Sequence, residues 1–246
     1  MVNQRVKGIT FDCWDTVMVD SLENWVEERI WWMEEILKGM GHSISSWRIK
    51  EAFDREPQAF DSYTYQHGIT PDARWRTAMV LQELKISLPP EDVEKLSTHY
   101  ENLPLKSLPP LVTGIFEALK IFSSTHGLVM ICNTGWYPGR VVRAVLTKHG
   151  VREYFQHLFF SNEVGIAKPD PRIFHFALDL LNLGPGEVVH IGDSETLDVA
   201  GAQKAGMRAI LFRGVRKKGE DKTRADAVLN RWEDLSATIS RLEHGK

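Results

Sequence analysis

Cysteine is scarce in this sequence: Cys13 and Cys132 are the only two in 246 residues. Two thiols exclude a disulfide framework and a four-cysteine zinc site. An excess of charge of one sign is also missing. Thirty basic residues stand against thirty-three acidic ones, a formal net charge of -3, so no whole-molecule field points to nucleic acid or an acidic membrane surface. Any anion site must therefore be local. No apolar run approaches the ~20 residues of a membrane-spanning helix. The opening segment, Met1 to Lys7, lacks the basic and apolar regions of a signal peptide. The expectation is a cytoplasmic protein with neither a nucleic-acid nor a membrane partner.

What is present is strongly patterned. Arg5 to Asp12 has the Val and Ile content of a buried strand that ends at a carboxylate. From about Ser21 to Leu103 the pattern changes to amphipathic helices, punctuated at Gly39-Met-Gly41, Pro57, Gly68 to Pro71 and Pro89-Pro90. The proline-rich stretch Leu103 to Pro110 then reads as a stiff connector. After it, helices predicted over 113–125, 138–149, 170–182 and 196–205 alternate with strands at Leu128–Cys132, Leu158–Ser161, Val188–Ile191 and Ala209–Phe212. A short strand, Ala227–Leu229, and a helix over 232–243 close the pattern. Such alternation implies an α/β fold of parallel βαβ units, a sheet flanked by helices, with residues 1–19 and 108–246 as the core and 20–107 as an inserted helical domain.

Ligands of such sheets bind beyond the carboxyl ends of the strands, and Asp12, Asn133 and Asp193 all follow predicted strands. Four segments carry the chemistry. Phe11-Asp-Cys-Trp-Asp-Thr16 offers a carboxylate that can act as a nucleophile when a cation offsets its charge, although Asp after a strand also caps turns. Ile131-Cys-Asn-Thr-Gly135 can grip an anion through turn amides and the Asn side chain, or be an ordinary turn. In Gly165-Ile-Ala-Lys-Pro-Asp-Pro171, Lys168 is a point cation in stiff surroundings or a solvated side chain. His190-Ile-Gly-Asp-Ser-Glu-Thr-Leu-Asp198 sets two carboxylates five residues apart across a helix start, which suits a hard cation. The small residues of the following Val199 to Gly206 let that helix lie close to the sheet.

The order of these segments, with a helical insertion between the first and second, resembles the haloacid dehalogenase superfamily of hydrolases over nearly the whole chain. The resemblance implies a Rossmann-like domain with a mobile cap, a Mg2+ cofactor and a small phosphorylated metabolite as substrate. By position it implies Asp12 as nucleophile and Lys168 as the charge-balancing lysine. Asp12, Asp193 and the Trp14 carbonyl become metal ligands. Asn133, Thr134, Thr16 and Cys132 become the substrate-binding set, with Asp198 and Asp15 in support.

Three departures qualify it. Trp14 stands where family phosphatases carry the general acid/base, a loss that typically costs ~10²- to 10⁴-fold in rate. Asp15 occupies the family's usual glycine position, and side-chain alternation after the strand argues against its swinging into the site. Cys132 replaces a hydroxyl donor, which leaves Thr134 to substitute. An aromatic at the Trp14 position is found in the metal-independent dehalogenase branch, because halide needs no proton. The expected function is therefore a Mg2+-dependent phosphatase acting through Asp12. A 2-haloacid dehalogenase and a catalytically weak binding or regulatory protein are the alternatives.

Outside the motifs, Trp25, Trp31, Trp32, Trp47 and Trp75 fall in the insertion, where they line a pocket or build that unit's own core. Both cysteines read as packing residues. His42, His67 and His99 show no metal-like spacing, and 213–224 reads as a solvated polar loop.

Overall fold

The computed structural model of the chain describes residues 5–20, 22–215 and 222–244, without the side chains of residues 22–24. Residues 216–221, half of the polar loop expected over 213–224, lie outside the described residues, as do Met1 to Gln4. Strand β1 (Gly8–Phe11) is wholly buried, and its Gly-Ile-Thr-Phe sequence fits a strand covered on both faces. It is flanked by β2 (Gly127–Cys132) and β4 (Val188–Gly192), both parallel to it, with Phe11 opposite Met130 on one side and Ile191 on the other. With β3 (His157–Phe160), β5 (Arg208–Phe212) and β6 (Ala227–Leu229) the sheet runs β3-β2-β1-β4-β5-β6, parallel throughout. The chain moves outward from β1 to β3, then returns to the other side of β1 at β4. That reversal opens a crevice at the carboxyl ends of β1 and β4.

Alternation along the strands divides the core. Leu128, Met130 and Cys132 face a layer closed by α6 (Ile115–Phe122), α7 (Gly139–Lys148) and α11 (Leu235–His244). Val129 and Ile131 face the layer closed by α9 (Pro171–Leu181), which follows the single turn α8 (Ser161–Val164), and by α10 (Ala200–Lys204). Close approach on that second face depends on Gly201, where a Cβ would lie 2.7 Å from the Phe174 ring and 3.1 Å from the Pro169 Cα.

Between β1 and α6 the chain forms α1 (Leu22–Gly39), α2 (Ser46–His67), α3 (Ala73–Leu84), α4 (Pro90–Glu101) and the single turn α5 (Leu103–Lys106). Their inward stripes, including Trp25, Met33, Ile49, Phe53, Leu81 and Tyr100, are buried. The tryptophans of this region divide. Trp25 is 1% exposed, Trp32 is half-buried against the core, and Trp31 and Trp47 are 55% and 69% exposed, so neither pocket nor core accounts for all five. Pro57 does not interrupt the helices as expected: α2 runs through it. A proline costs one main-chain bond and a clash with the preceding turn, and burial of Ile49, Ala52 and Phe53 on the same helix offsets this. The helical unit meets the sheet domain through the Ala167 N–H, which donates to the Gly68 carbonyl at 2.9 Å, and through the Thr70 and Ser161 hydroxyls, 2.5 Å apart. Among the described residues, no helix is long and apolar enough to cross a membrane.

One predicted helix is divided. In place of an α-helix over 196–205, a π-helical turn at Glu195–Val199 leads into the short α10. The Ser194 side chain accepts the Leu197 N–H, and the Ser194 carbonyl accepts from both Asp198 and Val199. A wide turn of this kind often marks a functional site.

Candidate active site

Asp12 is the first residue after β1, and its N–H donates to the Ile191 carbonyl at 2.8 Å, which extends the β1–β4 pairing by one step. Its carboxylate therefore stands at the mouth of the crevice, 7% exposed. Lys168, 2% exposed, reaches it from the loop before α9, with Nζ 2.5 Å from Asp12 Oδ1 and 2.6 Å from Asp198 Oδ1. Asp198 is held from two further directions. The Ser194 N–H donates to its Oδ2 at 3.0 Å, and His190 Nε2 lies 3.0 Å from its Oδ1. The other ring nitrogen of His190 is 2.8 Å from the Thr10 hydroxyl.

Asp12, Asp193 and Asp198 each offer an oxygen, and these atoms lie within 4.8 Å of one another. With three carboxylates around one ammonium, the titration behaviour is uneven. Burial raises Asp12 to about 6, with the Lys168 charge working against it and the Asp198 charge adding to it. Burial, followed by the Asp12, Asp198 and Asp15 charges, raises Asp193 to about 8. Asp198 goes the other way: burial alone would raise it, but Lys168 and the His190 bond hold it well below the usual carboxylate range. Burial keeps His190 neutral by lowering it, and Lys168 is raised because its two carboxylates outweigh the desolvation of its ammonium. The cluster thus carries more negative charge than one lysine balances, which is the chemistry of a divalent-cation site. The turn after β1 leaves one carbonyl open. Val17 and Met18 both donate to the Cys13 carbonyl, whereas no main-chain donor among the described residues reaches the Trp14 carbonyl.

The other residues expected at the site occupy varied places. Asn133 faces Lys168: its Oδ1 accepts the Lys168 N–H at 2.8 Å and its Nδ2 donates to the Lys168 carbonyl at 3.0 Å. Thr134 does not present its hydroxyl to an anion. That group is 3.0 Å from both the Ser161 hydroxyl and Asn162 Oδ1, and the residue is 2% exposed, because the turn after β2 is tied down to the end of β3. Cys132 is fully buried, on the same sheet face as Cys13. Thr16 is fully buried too, and its Oγ1 has no hydrogen-bond partner among the described residues. Asp15 adopts a left-handed conformation, φ 54°, and its Oδ1 accepts the Asp20 N–H at 2.9 Å. Aspartate tolerates that conformation better than most residues, which explains how it replaces a glycine.

Trp14 turns into an aromatic wall, with its ring 5.4 Å from Tyr137 and 6.1 Å from Trp25. This wall bounds a cavity of about 430 Å³ between the crevice and the helical unit, lined also by Asn133, Arg29 and Arg76. A more open cleft of about 710 Å³, against Trp75, Leu88 and Val93, contains none of the clustered carboxylates. Several contributors have no motif of their own. Ser161, Arg29, Arg76 and Tyr137 lie outside the four quoted segments, and their roles depend on folding. His190 left a trace, as a polar residue within an otherwise apolar strand.

A family model for haloacid dehalogenase-like hydrolases matches residues 6–206. The chain is 29% identical over 169 residues to haloacid dehalogenase-like hydrolase domain-containing protein 3 of Bos taurus, a match covering 68% of this chain and 66% of that protein. It is 38% identical over 101 residues to a phosphoserine phosphatase of Thermus thermophilus, covering 41% of this chain and 40% of the relative. In fold it is similar to 2-haloacid dehalogenase from Pseudomonas syringae pv. Tomato DC3000 (TM-score 0.70, 23% identity, 96% of this chain and 99% of the other). It is also similar to the HAD-hydrolase YfnB from Bacillus subtilis bound to magnesium (TM-score 0.67, 16% identity, 95% and 98% covered). The six-stranded parallel sheet, the helical insertion after β1 and the match over residues 6–206 together establish that this chain belongs to the haloacid dehalogenase-like hydrolases.

Proposed function

We propose that the protein is a Mg2+-dependent hydrolase of phosphoric monoesters that forms an aspartyl-phosphate on Asp12. The observation that carries this reading is the meeting of Asp12, Asp193 and Asp198 around a single lysine. A metal-free site would hold that much negative charge at a cost. Asp12, Asp193 and the Trp14 carbonyl would hold the cation. When bound, it offsets the carboxylate charge and polarises the phosphoryl group. The rest falls to the chain. Asp12 attacks phosphorus in line with the ester oxygen, and Lys168 stabilises charge on the equatorial oxygens while Asp198 and Asn133 fix its position. Water then cleaves the acyl phosphate.

The leaving oxygen finds no carboxylic acid at Trp14, so the reading favours esters of weakly basic alcohols. The substrate is a small phosphorylated metabolite. Residues 20–107 act as the cap, 1–19 and 108–246 as the catalytic core. Two buried free thiols accord with a cytoplasmic setting. The phosphatase relative and the magnesium-bound neighbour support this reading.

Trp14 favours a second reading, a metal-independent 2-haloacid dehalogenase in which Asp12 attacks carbon. One experiment separates the two. The wild type and Asp12→Asn are assayed on a panel of phosphate esters and 2-haloacids, with Mg2+ and with chelator. Phosphate release that needs both Mg2+ and Asp12 is the expected result. Halide release that survives chelation would replace the phosphatase reading with the second.

A further inference from the structure

His190 is the polar exception in β4, fully buried and opposite Thr10 in the β1–β4 register. Its ring faces α9, where Phe174 meets it edge-on at 5.0 Å and 88°. Core packing would ask only for a ring at this place, and phenylalanine would supply one. The imidazole does more, because its hydrogen bonds have a single consistent direction.

Asp198 receives the Lys168 ammonium on Oδ1 at 2.6 Å and the Ser194 N–H on Oδ2 at 3.0 Å, two groups that can only donate. An ionised carboxylate has no proton to return, so His190 Nε2, 3.0 Å from the same Oδ1, carries one. Burial keeps the ring neutral against the opposing pull of Asp198, and Nδ1 is then bare. The Thr10 hydroxyl, 2.8 Å away, donates to it. Protons thus point one way, from Thr10 to His190 to Asp198, and meet the Lys168 ammonium on one oxygen. Asp198 rests on the main chain of Gly192, where a Cβ would stand 2.3 Å from its Cγ.

This arrangement matters because of what happens to Asp12. Lys168 lies 2.5 Å from Asp12 and 2.6 Å from Asp198, so at rest it has two anchors. Once an Asp12 oxygen is bonded to phosphorus, that carboxyl has lost its own charge, and Asp198 is the carboxylate left to hold the ammonium. Water then attacks phosphorus, the acyl oxygen leaves, and the products are the Asp12 carboxylate and dihydrogen phosphate.

We infer that His190, backed by Thr10, is a positioning residue for the second half of the cycle: it holds Asp198, and through it Lys168, in place while Asp12 is phosphorylated. This rests on the phosphatase reading above.

The first test needs no substrate. In protein labelled with nitrogen-15 at histidine, the His190 signals, identified by their loss in His190→Gln, should show a protonated Nε2 and a bare Nδ1 at pH 7. A proton on Nδ1 overturns the assignment.

Three variants then divide the functions of the ring. Glutamine places an amide near Nε2, asparagine places one near Nδ1, and phenylalanine fills the space with neither. Rapid mixing with p-nitrophenyl phosphate and Mg2+ separates the first turnover from the steady state. His190→Asn and His190→Phe should lower kcat roughly 10- to 100-fold, as for a lost charge-assisted bond, with KM falling too and the first-turnover rate within about threefold of wild type. His190→Gln should recover most of the lost kcat.

Equal losses in His190→Gln and His190→Asn, or wild-type kcat in His190→Phe, would make the ring a packing element and overturn the assignment. So would a first-turnover rate that falls as far as kcat, which puts the effect before Asp12 is phosphorylated. If wild type with Mg2+ releases no nitrophenol, the phosphatase reading itself fails, an outcome distinct from a misplaced proton on the ring.

Discussion

Asn133 grips Lys168 by both ends of its main chain, accepting its N–H at 2.8 Å and donating to its carbonyl at 3.0 Å. An amide side chain imitates a strand partner here and holds the loop before α9 against the turn after β2. Asn133 thereby positions the ammonium that lies between Asp12 and Asp198.

Removing that grip should separate activity from folding. Asn133→Ala leaves two partly buried main-chain groups unpaired, a loss of about 1–3 kcal/mol. Because Lys168 loses its register, kcat should fall by roughly 10²-fold while KM changes less. Urea melts and steady-state kinetics on one ester check both figures. A variant that loses stability while keeping kcat would show that the ion pairs to Asp12 and Asp198 hold the ammonium in place without the amide.

Lys168→Met should show a pH-dependent loss. The ammonium is 2% exposed and holds two carboxylates, so its removal leaves Asp12 and Asp198 facing each other uncompensated. The cost at neutral pH is about 3–5 kcal/mol. Both folded-state carboxylate pKa values then rise above their unfolded values, so the folded state binds more protons and stability falls as pH rises. The difference from wild type, measured by denaturation in chelator, should be small near pH 4 and large at pH 8.

Magnesium binding should strengthen steeply with pH. Asp193, raised to about 8, must lose its proton to serve as a ligand, so the apparent Kd should fall by roughly 50-fold between pH 6 and pH 8. Asp12, raised to about 6, is already half ionised at pH 6 and adds roughly a further twofold over the same interval. Without metal the sign for stability is opposite: both folded pKa values exceed the unfolded 3.8, so these groups cost stability as pH rises through 4 to 8. Melting temperature should therefore increase more on adding Mg2+ at pH 8 than at pH 6. A pH-independent shift would place the ion elsewhere.

The sequence carried the sheet because parallel strands buried on both faces read as unbroken apolar runs, as Leu128-Val-Met-Ile does. It also carried Asp12, Lys168, Asp193 and Asp198, which sit in dense local patterns. It did not carry Thr134's diversion to Ser161, a contact across 27 residues that depends on how β2 and β3 pair. The same holds for Arg29 and Tyr137, 108 residues apart in sequence and joined only when the helical unit docks. The π-helical turn at Glu195–Val199 escaped because its cause is a three-dimensional demand: Asp198 must face Lys168 and the Ser194 N–H together.

Trp14 yields the sharpest test of how the site came to lack an acid. Its ring is half-buried against Trp25 and Tyr137, so Trp14→Asp removes an aromatic contact and should cost about 3 kcal/mol of stability. The new carboxylate would stand two residues after Asp12, within reach of a leaving oxygen. An aryl ester such as p-nitrophenyl phosphate leaves without protonation and gains nothing from it, whereas an alkyl ester needs the proton. The ratio of alkyl to aryl turnover should therefore rise at least tenfold in Trp14→Asp, even if both absolute rates fall with the lost packing. Trp14→Asn, which opens the same space without an acid, should leave the ratio where wild type has it. Equal ratios in all three proteins would mean that proton delivery does not limit this enzyme, and that Trp14 is retained for the shape of the aromatic wall.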